Sequence, residues 1–402
     1  MDYEPTIDEW RARPPGELGM DTRGLTEAIE YHRAHETRWS PDFLTRNGRY
    51  IGVADEPEAP DEVLGPVRAR GGPNGVILRG GYLVAEWGDT SRADMTFSVA
   101  KSYLAVLAGL AVARGLIRSV DDPVRESGST SEYFDGRHGF AGVPGASGGL
   151  GGPAARPPMS MDGFVSAQNR DITWRHLLQQ TSEWQGTLWD RPDSIDHNRD
   201  VGKSELGAAE KGTPRPLRPP GTLWEYNDVR VNRLSLSLLQ RFQRPLPDVL
   251  REAVMGPIGA STGWQWMPYR NSWITIEGER VASVPGGSHW GGGLWMSTRD
   301  HARFGLLVHR GGRWGGRQLV PASWIGEMRR PCPINPEYGL LWWLNTGRRQ
   351  LPSAPESSYA ARGAGSNVIW IDPEHDLVTV IRWIDKPHVA GFVERIMASL
   401  RT

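Results

Sequence analysis

The chain has 402 residues, with 46 Lys plus Arg against 47 Asp plus Glu and a net charge of −1. That balance gives no electrostatic basis for binding nucleic acid or an anionic membrane surface, and the length allows a large core in one or two domains. The single cysteine, Cys332 between Pro331 and Pro333, excludes an internal disulfide and a cysteine-held metal site.

The start, Met1-Asp2-Tyr3-Glu4-Pro5, is acidic and lacks the apolar stretch of a secretory signal. No run approaches the roughly 18 apolar residues of a membrane span, so the chain reads as soluble and cytoplasmic. A short helical patch covers 26–35. Residues 76–79 and 82–87 read as two strands joined by Gly80-Gly81, the signature of a two-residue hairpin turn. An apolar helix is expected from Ser98 to Leu116. Residues 127–163 then shift to Gly, Pro, Ala and Ser, the composition of a loop or insertion.

Helical signals return at 174–178, with Thr173 as a cap and Asp171 competing for that role. Further helices are expected over 229–242 and from Ser297 into 302–309. Residues 367–371 and 377–383, joined by Asp372-Pro373-Glu374-His375, form a second hairpin, and an amphipathic helix spans 389–400. Hairpins near both ends with helices between them predict an α+β fold. Its antiparallel sheet would come from both chain ends, with flanking helices and an inserted, mostly helical subdomain. The corresponding segments are 1–115, 116–255 and 256–402.

The chemistry starts at Ser98-Val99-Ala100-Lys101. Side chains at i and i+3 of a helix share a face, so Lys101 stands beside the Ser98 hydroxyl. A serine hydroxyl needs an adjacent base to act as a nucleophile, and a lysine can serve if its surroundings keep it neutral. The chain has only four lysines. One of them inside a helix that is apolar nearly all round should be buried, where a charge needs a partner or a task.

Tyr226, in Trp224-Glu225-Tyr226-Asn227-Asp228, has a phenol that could shuttle the serine's proton; the alternative is a half-buried structural tyrosine. Asp228 is placed to cap the following helix, with a pairing to Lys101 as the alternative. In Ala361-Arg362-Gly363-Ala364-Gly365-Ser366-Asn367, small residues would let a substrate reach a strand edge whose N–H groups can hold an oxyanion. A plain glycine-rich turn fits the same residues. The ten histidines show no metal-binding spacing. His289 lies in a glycine cluster and is a candidate either for a pocket wall or for a bonded structural role. Trp184, Trp189, Trp224, Trp264, Trp266, Trp290 and Trp295 lie in loops or near glycines; most belong to the core, and some are candidates for an aromatic cleft.

Together these segments resemble the serine β-lactamase/penicillin-binding-protein superfamily, in its class C-like branch. That branch includes family VIII esterases, 6-aminohexanoate-dimer hydrolases and some acyltransferases. The match lies in Ser98-x-x-Lys101, then Tyr226-x-Asp228, then Gly363-Ala364-Gly365-Ser366 before the strand Asn367-Val368-Ile369-Trp370-Ile371, in that order. Residues 172–182 and 292–305 also look like the family, and the resemblance covers roughly 72–402. It implies a β-lactamase-like fold with Ser98 as the acylated nucleophile and Lys101 with Tyr226 moving its proton. The N–H groups of Ser98 and of Ser366 or Asn367 would form the oxyanion hole. Asp228, Trp189, His289, Arg362, Ala364 and Gly365 are the candidates for substrate binding.

Two departures stand out. The third motif normally begins with Lys or His, which helps hold a substrate carboxylate; here that place is Ala364, and Arg362 replaces the charge only if the strand brings it to the same face. Asp228 stands where Asn is usual, and a carboxylate there would keep Lys101 protonated. Both argue against efficient β-lactam hydrolysis. The expectation is a hydrolase of small esters or amides acting through an acyl-serine, with no metal or cofactor. Transfer of the acyl group to an amine or alcohol is the alternative, followed by a non-catalytic binding relative. The expected partner is a small-molecule ester or amide substrate, with no nucleic acid and no membrane, and the sequence does not give the oligomeric state.

Overall fold

The computed structural model describes residues 3–6, 9–54, 63–126, 162–201 and 210–401; all but the last two residues of the Gly/Pro-rich stretch 127–163 lie outside them. The fold is α+β. Its main sheet joins β1 (Asn74–Arg79) and β2 (Tyr82–Trp87) to β3 (Trp343–Leu344), β4 (Tyr359–Gly363), β5 (Asn367–Asp372) and β6 (Leu377–Arg382). The strand order is β3-β4-β5-β6-β1-β2, every pair antiparallel, so the two ends of the chain meet where β6 pairs with β1.

Local chemistry explains the hairpins. Gly80 and Gly81 take φ of +60° and +81°, as the tight turn from β1 to β2 demands. The strands β5 and β6 are buried along their whole length. That burial matches their nearly continuous apolar runs and requires layers on both faces.

Those layers are helices. On one face α1 (Thr22–Ala34) and α5 (Val389–Ala398) pack together. Leu25, Ala28, Phe392 and Ile396 cover Ile77, Trp370 and Ile381 there. On the other face lie α2 (Val99–Ala113), α3 (Asp228–Phe242) and α4 (Thr298–His309). The helix α4 crosses β1, β5 and β6, while α2 reaches β4 and α3. Asp21, Asn227 and Ser297 cap α1, α3 and α4 through their side chains, and Thr173 caps the short helix Trp174–Leu178. Among the described residues, no helix is long and apolar enough to cross a membrane.

Candidate active site

Ser98 is delivered by a second small sheet in which Asp94–Met95 pairs with Gly293–Met296. The turn from that strand into α2 passes through Phe97 at φ +50°, a left-handed conformation that disfavours a bulky residue. Packing holds it there: the Phe97 ring lies edge-on to Trp39 at 5.5 Å and Phe43 at 5.4 Å. Arg382, at the end of β6, locks this turn to the main sheet. Its guanidinium donates to the carbonyls of Met296 at 2.6 Å, Asp94 at 3.1 Å and Met95 at 3.0 Å, and to Asn367 Oδ1 at 2.7 Å. Burial pushes this guanidinium down to about 10, and the nearby Asp94 carboxylate opposes that shift.

Lys101 is buried one turn into α2 and donates to Ser98 Oγ at 2.8 Å. Its ammonium also forms an ion pair with Asp228, the first residue of α3. The same carboxylate accepts from Arg199 and, at 2.8 Å, from His289 Nδ1. Behind it Asp196 accepts the Asp228 backbone N–H at 2.8 Å and lies 3.5 Å from both Arg199 and Lys211. Burial, the largest single influence, would drive Lys101 toward the neutral amine, yet the charge and hydrogen bond of Asp228 together with Tyr226 outweigh it and hold the ammonium above its ordinary range. The Asp228 carboxyl is held well below the usual range; burial opposes this, and Lys101 and Arg199 prevail. Asp196, Asp228 and His289 each bring a ligand-type atom within 4.8 Å of the others, and Lys101, Arg199 and Lys211 supply the positive charge in this cluster.

Tyr226 is fixed through its neighbours. Asn227 N–H donates to Gln180 Oε1 at 2.8 Å, and its side-chain amide donates to the Asp193 carbonyl at 2.8 Å. Glu225 pairs with Arg215 at 2.7 Å and Arg230 at 3.1 Å. The Tyr226 ring stacks on Trp343 at 5.9 Å and stands 4.8 Å from Lys101 Nζ and 5.5 Å from the Arg199 guanidinium. No hydrogen bond among the described residues joins its hydroxyl to Ser98 or Lys101. A cavity of about 430 Å³ opens above Ser98, and Tyr226, Trp39, Trp343, Arg362 and Ser366 help to line it. The end of β4 passes beside the Ser98 turn, and the chain then curls through Gly365 at φ +69° and Ser366 at φ +53°.

The sequence profile of the Beta-lactamase family matches residues 75–390, most of the chain. The chain belongs to the beta-lactamase family. A comparison with curated proteins finds no match. Solved structures share the fold at low identity. A penicillin-binding-protein homolog from Caulobacter crescentus is 14% identical with a TM-score of 0.56, covering 96% of this chain and 98% of its own. A D-stereospecific amidohydrolase from Streptomyces sp. is 15% identical with a TM-score of 0.51, covering 94% and 98%. EstCE1, a hydrolase with promiscuous acyltransferase activity, is 15% identical with a TM-score of 0.53, covering 94% and 99%.

In this beta-lactamase-family chain, the motif residues Ser98, Lys101, Tyr226 and Asp228 meet at one place, and Ser366, Ala364, Gly365 and Arg362 border the same cavity. Other expectations need correcting. Asp228 does not cap α3; Asn227 does, accepting from Arg230 N–H at 3.1 Å, which frees Asp228 for Lys101, Arg199 and His289. The Asn367 side chain donates to Ala364 O at 2.7 Å and accepts from Arg382, outside the cavity lining, which bears on its side chain and not on the backbone N–H expected at the oxyanion hole. Trp189 packs edge-on against Tyr269 at 5.6 Å and is not part of the cavity wall. His289 is likewise withdrawn from it, stacked on Trp290 at 4.2 Å with Nδ1 on Asp228.

None of the seven tryptophans named from the sequence lines the cavity; its tryptophans are Trp39 and Trp343. Sequence reasoning also missed Arg199, Asp196 and Arg382. Arg382 left a signal, being a lone charge ending the apolar run 377–381. Arg199 left none, because the loop that carries it has no periodicity.

Proposed function

We propose that this chain is a serine hydrolase that cleaves a small ester or amide through a covalent acyl-serine. The observation that carries the reading is the 2.8 Å hydrogen bond between Lys101 Nζ and Ser98 Oγ at the floor of an open cavity. Ser98 Oγ attacks the substrate carbonyl carbon, and its proton passes to Lys101, with Tyr226 beside it. The negative charge on the carbonyl oxygen is met by backbone N–H groups of Ser98 and Ser366. Collapse of that intermediate expels the alcohol or amine, which leaves with the proton. Water then enters by the same route, releases the acid and restores Ser98.

Trp39, Trp343 and Tyr226 offer an apolar wall for the acyl or leaving group, and Ala364 with Gly365 leaves room beside it. Arg362 supports a substrate with an anionic group. It borders the cavity, and its hydrogen bond goes to a neutral acceptor, Gln350 Oε1. Transfer of the acyl group to an amine or alcohol would use the same residues. EstCE1, similar in fold, is described with such an activity.

A fluorophosphonate probe is expected to label Ser98, and Ser98→Ala should abolish turnover of a para-nitrophenyl ester. A panel of aryl esters, a linear amide and a chromogenic cephalosporin, each with and without added alcohol, identifies the bond cleaved and the acceptor. Full ester turnover by Ser98→Ala overturns the reading.

A further inference from the structure

Lys101 lies in a closed electrostatic environment. The titratable and charged groups facing its ammonium come from three segments. They are Asp228 at the start of α3 with Tyr226 just before it, Arg199 and Asp196 on the loop 193–201, and His289 on the glycine-rich loop before the small sheet. Lys211 completes the cluster behind Asp196 and lies 3.4 Å from His289 Nε2. The side chains of Lys101 and Asp228 are only 2% and 5% exposed. Water therefore screens little, and each neighbouring charge acts more strongly than it would at the surface.

Within this cluster two groups oppose one another. The Asp228 carboxylate attracts the Lys101 ammonium directly. Arg199 sits on the other oxygen of that carboxylate and repels it. The family position that ordinarily carries an amide thus carries a charge, and a buried arginine offsets part of it.

We propose that Asp228 and Arg199 are positioning residues that act on Lys101 in opposite directions and together set the pH at which the Ser98 centre turns over. This rests on the reading of Ser98 and Lys101 as the acyl-transfer pair. With Asp228 ionised, Lys101 rests as an ammonium that donates to Ser98 Oγ and Asp228, with no lone pair to accept the Ser98 proton. As pH rises, Lys101 gives one proton to solvent and becomes the neutral amine. That amine takes the Ser98 hydroxyl proton as Oγ bonds to the carbonyl carbon, and returns it to the departing alcohol or amine as that bond breaks.

The test is the pH dependence of kcat/KM for a neutral aryl ester in wild type, Asp228→Asn and Arg199→Gln, with the Ser98→Ala rate subtracted at each pH. Wild type should show an activity limb that rises with pH. Asp228→Asn should move it to lower pH by roughly one to three units, as for removal of a contacting opposite charge. Arg199→Gln should move it to higher pH. Opposite shifts are not expected from general damage to the fold; unshifted limbs, or shifts in one direction, overturn the proposal.

A second measurement needs no variant. With four lysines in the chain, nitrogen-15 labelling of the lysine side chains resolves Lys101 in the wild type. An ammonium that persists through neutral pH is expected, and a neutral amine near pH ~7 overturns the proposal. If Ser98→Ala keeps its turnover, the acyl-serine reading itself falls. If Ser98 is labelled and required but the limbs do not move, only this inference falls.

Discussion

A Cβ on Gly363 would stand 2.3 Å from the carbonyl oxygen of Thr96, 3.1 Å from Val99 N and 3.2 Å from Ser98 N. The end of β4 is therefore pressed against the turn that presents Ser98, with no space for a methyl group. Gly363→Ala must push strand and turn apart where the oxyanion would be held. Loss of one donor at such a site lowers turnover about 10²–10³-fold. Kinetics of ester hydrolysis should show a fall of that order in kcat, with fluorophosphonate labelling of Ser98 slowed in parallel. Wild-type rates in Gly363→Ala would show that this approach does not shape the site.

Arg362 is held by a spacer rather than by a counter-ion. It donates to Gln350 Oε1, Gln350 Nε2 donates to Glu337, and the guanidinium lies 6.0 Å from the centre of the Trp343 ring. The amide orients Arg362 without cancelling its charge, and burial draws the guanidinium below its ordinary range. A substrate carboxylate would restore that balance. The ratio of kcat/KM for an aryl glutarate half-ester to that for an aryl butyrate should fall roughly tenfold to a hundredfold in Arg362→Gln. Arg362→Lys should recover part of it. An unchanged ratio removes Arg362 from substrate recognition.

What the sequence makes legible here is local. Ser98 and Lys101 can be paired on paper because residues three apart on one helix share a face, and Gly80-Gly81 announces its own turn. The helix α3 illustrates the limit. Asn227 and Asp228 are equally good caps, and the choice between them depends on Lys101, which lies 127 positions away in the chain. Arg362 and Ala364 would share a face on a regular strand, but the turn Ala364–Ser366 breaks that regularity. Trp39 and Trp343 reach the same cavity from opposite ends of the chain, and no periodicity brings them together. Arg199 depends wholly on tertiary structure, since only the folded chain brings it to Asp228.

Gly109 lies mid-helix in α2, where glycine is a poor helix former by about 1 kcal/mol relative to alanine. Its place is explained by Trp324, whose Cδ1 would be 2.2 Å from a Cβ there. The indole is buried and pinned by a 2.9 Å hydrogen bond from Nε1 to the Ala105 carbonyl, so it cannot swing aside. Two effects of Gly109→Ala then compete: the gain in helix propensity and an overpacking cost of typically 1–3 kcal/mol. Overpacking should win, leaving the variant less stable by up to about 2 kcal/mol in urea unfolding. A more stable Gly109→Ala would mean that Trp324 yields more easily than its contacts imply.

His32 ties α1 to the sheet, and its two ring nitrogens have distinct duties. Nδ1 accepts from Trp87 Nε1 at 2.8 Å, which can only donate, so the proton sits on Nε2 and is given to the Arg382 carbonyl at 3.0 Å. The neutral ring satisfies both partners; a second proton would face the Trp87 N–H. Burial pushes the imidazole down to about 4. Unfolded, the same ring titrates at its ordinary value of about 6.5. Between those values the unfolded chain binds more protons, so stability is full above pH ~6.5 and is lost progressively as pH falls toward ~4. A shift of that size corresponds to about 3 kcal/mol at most. Urea unfolding at several pH values across this window should show that loss in wild type. His32→Gln should be less stable near neutral pH and lose less on acidification. Parallel pH slopes for the two proteins would show that His32 is not the group responsible.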